Sequence, residues 1–114
     1  MHDSLTTSWL GIRLGRDPQT LDRLRKAGQI LGVRRNGGYA FPAWQFDERG
    51  RVLEGIPQAI AAARSVGVTD DRLAQILQMR VGLGSDRRLV DSLREGNVTH
   101  VLGVVRGSAE PVAA

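Results

Sequence analysis

The chain contains no cysteine, and that single absence removes disulfides, thiolate metal sites and cysteine nucleophiles together. Such a chain fits the cytoplasm. No apolar run approaches the roughly 20 residues needed to span a bilayer, and the start, Met1-His2-Asp3-Ser4, lacks the charged and apolar regions of a signal peptide. Neither export nor membrane insertion is expected. Histidine is scarce: His2 and His100 lie at opposite ends of the chain with no carboxylate or hydroxyl pattern around them, so a metal site or catalytic triad has no support. An enzyme would need a catalytic group that these residues do not supply, and neither enzymatic activity nor a bound cofactor is expected. Lysine is nearly missing as well, with Lys26 standing alone among the basic residues. An arginine bias follows from a GC-rich genome as readily as from binding chemistry, and it identifies nothing by itself.

At 114 residues there is room for one compact domain, or for two very small modules sharing a core, but not for a large enclosed active site. Composition is close to that of an average soluble protein, which argues against wholesale disorder and against a coiled coil. The net charge is +4, and its placement says more than its size. From Gly11 to Gly38 seven basic residues face Asp17 and Asp22, a local +5, whereas from Glu48 onward nine arginines face eight acids. A positive field concentrated on one module suits phosphate binding, because it attracts a polyanion and releases its counterions. The plain alternative is an ordinary solvated basic surface.

The expected fold is mainly α. Residues 1–47 read as a winged helix-turn-helix DNA-binding region with a small β-hairpin, and residues 48–114 as a helical partner-binding region ending in a mobile tail. A first helix is expected within Leu5 to Leu14, capped from the Thr6-Thr7-Ser8 cluster and stopped by Gly15. In the second, Asp17 suits the N-cap, Pro18 the first turn and Gly28 the C-terminal stop. Leu21 and Leu24 turn one face inward and leave Gln19, Arg23 and Lys26 on the other. Asn36-Gly37 then marks a tight turn between two extended arms carrying Arg34 and Arg35. In this geometry Gln19 and Arg23 reach base edges, Lys26 with Arg13 or Arg16 touches phosphates, and Arg34 and Arg35 grip the backbone or minor groove. The alternative is a helical hairpin and a β-hairpin that only pack.

Trp44 and Phe46, two residues apart, are expected to continue the strand face of Tyr39 and Phe41 as core rather than as base-stacking platforms. The internal boundary is placed at Glu48-Arg49-Gly50-Arg51. Beyond it four short amphipathic helices are expected: one opened by Pro57, one capped by Thr69, one carrying Leu89, Val90 and Leu93 up to Gly96, and one capped by Asn97 with Val98, Val101, Leu102 and Val105 on a stripe. The glycine-rich loop Val81 to Asp86 is no phosphate loop, since it has neither the preceding strand nor the following Gly-Lys-Ser/Thr.

Two stretches bear family resemblances. Thr6 to Pro42 resembles the winged helix-turn-helix of excisionase and MerR-type regulators, through Leu14-Gly15, Thr20-Leu21 with Arg23-Leu24, Ala27-Gly28 and Gly38-Tyr39. The block Phe41-Pro42-Ala43-Trp44-Gln45-Phe46-Asp47, with Gly50-Arg51-Val52, Gly55-Ile56-Pro57 and the later Asp91-Ser92-Leu93-Arg94-Glu95-Gly96, resembles the toxin-binding domain of Xre/MbcA/ParS antitoxins, over roughly residues 41 to 106. This resemblance implies a type II antitoxin that neutralises a RES-domain, NAD-degrading toxin and autoregulates its operon by DNA binding; NAD would be the partner's ligand. It implies a toxin contact surface made by Leu83, Arg87, Arg88, Asp91, Arg94 and Arg106. Leu89 stands where that family usually has Pro, and Ser85-Asp86 replaces a glycine pair. The expected partners are therefore a RES-type toxin, operator DNA and a second copy of the chain in a homodimer. The competing reading is a stand-alone winged helix-turn-helix regulator or excisionase-like factor whose C-terminal helices only dimerise it.

Overall fold

A computed structural model of the chain describes residues 4–6, 18–35, 37–82 and 86–108, with residues 4–6 and Pro18 described by their backbone alone. The described residues form a mainly α fold with one small antiparallel sheet: β1 (Ser4–Thr6), α1 (Pro18–Lys26), β2 (Val33–Arg35), β3 (Gly38–Pro42), a 3-10 turn (Ala43–Gln45), α2 (Ile56–Ser65), α3 (Asp70–Leu77), α4 (Leu89–Arg94) and α5 (Val98–Gly107). None of these helices is long and apolar enough to cross a membrane.

The sheet has the order β1-β3-β2, with Val33 opposite Ala40 and Arg34 opposite Tyr39 across the hairpin. Gly37 takes the positive φ of 81° that the tight turn demands, as Asn36-Gly37 implied. One expectation is corrected at the other edge. Leu5 and Thr6 belong to β1, paired with Phe41 and Ala40, and do not begin a helix. The central strand β3 needs hydrogen-bond partners on both sides, and that need outweighs a local capping signal. The rest of the expected first helix, with Asp17, Arg13 and Arg16, lies outside the described residues.

A second correction concerns the aromatic block. Pro42 has no N–H to donate, so β3 ends there and the chain coils into the 3-10 turn. Trp44 therefore turns toward the main core, while Phe46 returns through a bridge to Val52 and joins Leu21, Ile30 and Phe41 in a smaller cluster beneath α1. Strand alternation would have put Trp44 and Phe46 on one face; the 3-10 turn separates them.

The helices α2 to α5 form where the periodicity placed them. Thr69 caps α3 by accepting from the Arg72 N–H at 3.1 Å. Asn97 occupies the N-cap of α5, although its side chain makes no capping bond. Gly55, at φ 97°, precedes α2 at a place where a Cβ would come within 2.8 Å of Leu93 and 2.9 Å of Val98, so both conformation and space call for glycine. The main core joins Ile56, Ile60, Leu73, Ile76, Leu77, Leu89, Leu93, Val101 and Val105 to Leu31, Val33 and Ala40 of the first half. The sequence boundary at Glu48 to Arg51 is an exposed turn, closed by the Asp47 N–H donating to the Arg51 carbonyl at 2.7 Å. The core runs across that turn.

At the junction sits Gln45, a polar side chain with 0% exposure. Its Oε1 accepts from the Leu31 N–H at 2.7 Å, and its Nε2 donates to the Leu31 carbonyl at 2.7 Å. The Gln45 carbonyl accepts from the Leu53 N–H at 2.7 Å. One residue thus ties together the link from α1 to the hairpin, the hairpin exit and the approach to α2. Replacing Gln45 by Ala leaves both polar groups of Leu31 buried and unpaired, an expected loss of about 2–4 kcal/mol in urea unfolding. Changing the exposed Gln58 to Ala is expected to shift stability by no more than ~0.5 kcal/mol; equal effects at the two positions would refute the role given to Gln45.

Candidate nucleic-acid interface

Helix α1 is short, and its orientation depends on the apolar face it buries. Leu21 is buried and Leu24 half-buried, whereas Gln19, Arg23 and Lys26 are exposed on the other side. At spacings of four and three these three side chains share one face of the helix, as the sequence implied. The C-terminal stop also forms as expected, with Gly28 at φ 75° and the Gln29 N–H donating back to the Leu24 carbonyl at 2.9 Å.

The hairpin packs through both of its faces. Val33 and Ala40 point into the main core, while Tyr39 and Phe41, on the opposite face, meet α1. Arg34, directly across from Tyr39, shares that α1-facing side. Arg25 links the two elements: its guanidinium carbon lies 3.7 Å from the Tyr39 ring centroid, a cation-π contact, and it binds Asp22 at 2.7 Å. Asp22 also pairs with Lys26 at 3.1 Å. These bonds, led by the one from Arg25, hold the Asp22 carboxyl below the usual carboxylate range. Sequence reasoning counted Arg25 among the charges and gave it no role; the ring it would cover becomes adjacent only through folding.

The exposed cations Arg23, Arg34 and Arg35 make no ion pair among the described residues. Lys26 is 69% exposed, and its pair with Asp22 is a solvent-screened surface contact that a phosphate can displace. The α1 face and the hairpin therefore offer a polyanion several positive side chains on neighbouring supports. Gln19 adds an amide able to donate and accept on a base edge.

The residues expected to contact a toxin are differently engaged. Arg87 binds Glu95 through both terminal nitrogens and donates to Ser92 Oγ. Arg88 donates to the Gln78 carbonyl at 2.7 Å. Asp91 accepts from the Arg88 N–H at 2.8 Å at the start of α4, and Arg94 bridges Asp91 and the Trp44 carbonyl at 2.7 and 2.8 Å. Arg106 is exposed near the end of α5, and Leu83 lies outside the described residues. The structure gathers Arg87, Arg88, Asp91 and Arg94 around α4, with each drawn into bonds inside the chain.

No family model matches this chain, and no curated protein matches its sequence. The fold does match a solved structure, described as the NMR structure of Rv2175c, with a TM-score of 0.77 at 20% sequence identity. The likeness covers 94% of this chain and 81% of that one. It shows the fold alone.

The carboxyl of Asp91 is held below its ordinary range, first by the Arg88 N–H and then by Arg94. A carboxylate depressed in the folded state contributes stability above its unfolded pKa and loses it as pH falls through the folded one. Asp91→Asn is therefore expected to lose less stability than the natural chain as the pH falls from about 5, where a carboxylate of ordinary pKa near 3.9 begins to protonate, down through the lower range in which the folded Asp91 takes up its proton. Urea unfolding across that range reads the difference, and parallel acid limbs would contradict the assignment.

Proposed function

We propose that the chain is a DNA-binding regulator in which α1 serves as the reading helix and the β2–β3 hairpin as the wing of a winged helix-turn-helix. The observation that carries this reading is the set of exposed cations Arg23, Arg34 and Arg35, without an ion pair among the described residues, on two elements joined through Arg25 and Tyr39. Phosphate contacts fix the register of such a protein on the duplex, and base-edge contacts supply its sequence preference. Arg23 suits a guanine edge and Gln19 an adenine edge, each through two hydrogen bonds. Arg34 and Arg35 at the hairpin suit the backbone or minor groove. A symmetric dimer would match a palindromic operator.

Neutralisation of a RES-type toxin by the helical half rests on the sequence resemblance. Four of its expected contact residues brace α4 internally, so the geometry favours the stand-alone regulator as the first function to test. The helical half also has a role in that reading, since it supplies the core on which the hairpin is seated.

Binding is expected to weaken steeply with salt, because each neutralised phosphate releases condensed counterions. Titrating a labelled mixed-sequence duplex at several salt concentrations gives the slope of log K against log salt. Arg34→Ala and Arg35→Ala are each expected to lower that slope by about 1. Arg23→Ala is expected to cost about 1–3 kcal/mol on a duplex selected by the natural chain, with a smaller effect on mixed sequence. A natural chain whose affinity does not vary with salt would defeat the proposal.

A further inference from the structure

The two DNA-facing elements are both held from one place in the helical half. Arg64, on α2, reaches under the end of α1 and donates to the Arg25 carbonyl at 3.1 Å and the Lys26 carbonyl at 3.2 Å. These carbonyls belong to the helix's last turn and have no partner within the helix, so a cation there also answers the negative end of the helix dipole. Arg64 is in turn gripped by Asp70, with bonds of 2.8 and 3.2 Å to its two carboxylate oxygens. The bond to Asp70 raises the Arg64 pKa. The fit is close: a Cβ at Gly28 would come within 3.1 Å of the Arg64 guanidinium, in a backbone conformation that already favours glycine.

The next residue along α3 holds the other element. Asp71 Oδ1 accepts from the Arg34 N–H at 3.2 Å. Strand β2 lies at the edge of the sheet, so this N–H is one that would otherwise face solvent. Thr69 fixes the start of α3 by capping it, and Leu73, Ile76 and Leu77 lock the helix into the core. Consecutive carboxylates on one anchored helix terminus therefore grip the end of α1 through Arg64 and the edge of the hairpin directly.

We propose that Asp70 and Asp71 are positioning residues for DNA binding: together with Arg64 they fix the separation between reading helix and wing, so that Arg23 and Arg34 meet one duplex surface. This rests on the DNA-binding reading of α1 and the hairpin. It makes a counterintuitive demand. Two acids beside a polyanion site repel phosphate, so a purely electrostatic account has their removal tighten binding. Positioning requires the reverse.

The test compares Asp70→Ala, Asp71→Ala, Asp70→Asn and Asp71→Asn with the natural full-length chain, on a mixed-sequence duplex at fixed salt, after thermal melting has confirmed that each is folded. Asparagine keeps an oxygen able to accept the bond and removes the charge. The alanine variants are expected to bind about tenfold more weakly, the scale of one charge-assisted hydrogen bond, and the asparagine variants at least as tightly as the natural chain. Alanine variants that bind as tightly as the natural chain, or tighter, would overturn the inference. The free protein gives an independent reading by NMR: Arg34 amide exchange is expected to accelerate in Asp71→Ala and the Arg64 Nε–H signal to shift in Asp70→Ala, with both restored by asparagine. If the natural chain ignores DNA while these signals respond, the DNA-binding reading fails and the clamp stands as a purely structural feature. Unchanged signals in the alanine variants would dismiss the clamp itself.

Discussion

The side-chain amide of Gln45 does for Leu31 what a neighbouring strand would do, offering one acceptor and one donor to a backbone segment that leaves α1 and has not yet entered β2. That segment is buried, and a buried peptide group without partners is costly enough to reshape the chain around it. With Gln45 in place, Leu31 enters the main core while Ile30, its neighbour, enters the small cluster under α1. The two cores are thereby kept adjacent and distinct, and the hairpin between them is seated on both faces. The link from α1, the exit of the hairpin and the approach to α2 are thus tied to this one residue, the first through its side chain and the last through its backbone carbonyl.

The arginines divide by what surrounds them. In the helical half Arg64, Arg87, Arg88 and Arg94 reach carbonyls and carboxylates and act as braces between elements. A guanidinium suits that task because its planar fork satisfies several acceptors at once and remains charged at every relevant pH. On α1 and the hairpin, Arg25 is used in this way, stacked on Tyr39 and bonded to Asp22, whereas Arg23, Arg34 and Arg35 are exposed. A braced arginine surrenders its donors to the fold. An open one keeps them available, and several open ones on two adjoining elements give this side of the molecule a positive field.

Scaffold and candidate site overlap in this chain. The hairpin edge is satisfied by Asp71, and the end of α1 by Arg64 with Asp70. Neither α1 nor the hairpin is fixed by its own residues alone. The C-terminal half is thus part of the geometry of the face that α1 and the hairpin form.

Helix positions were legible because each carries its own punctuation: Pro18 and Gly28 at the ends of α1, Pro57 in the first turn of α2, the Thr69 cap of α3, and Gly96 between α4 and α5. The hairpin was legible from Asn36-Gly37, and the outward face of α1 from the spacing of its leucines, since these signals are local and act over three or four residues. Long-range pairing left no such trace. Leu5 and Thr6 read as the approach to a helix because nothing nearby announces that β3, more than thirty residues on, lacks a partner on one edge. Trp44 and Phe46 read as a strand pair until Pro42 and the 3-10 turn part them. Gln45, lodged in an aromatic block, acquires its role from a residue 14 positions away and Asp71 from one 37 away, while Asp70 acts through Arg64, whose backbone acceptors lie 38 and 39 positions from it. Sequence alone determined the helices α1 to α5, the hairpin and the charge they carry; tertiary structure decided the pairing of β1 and which polar groups are buried against each other, because desolvation and partner geometry exist only once distant segments meet.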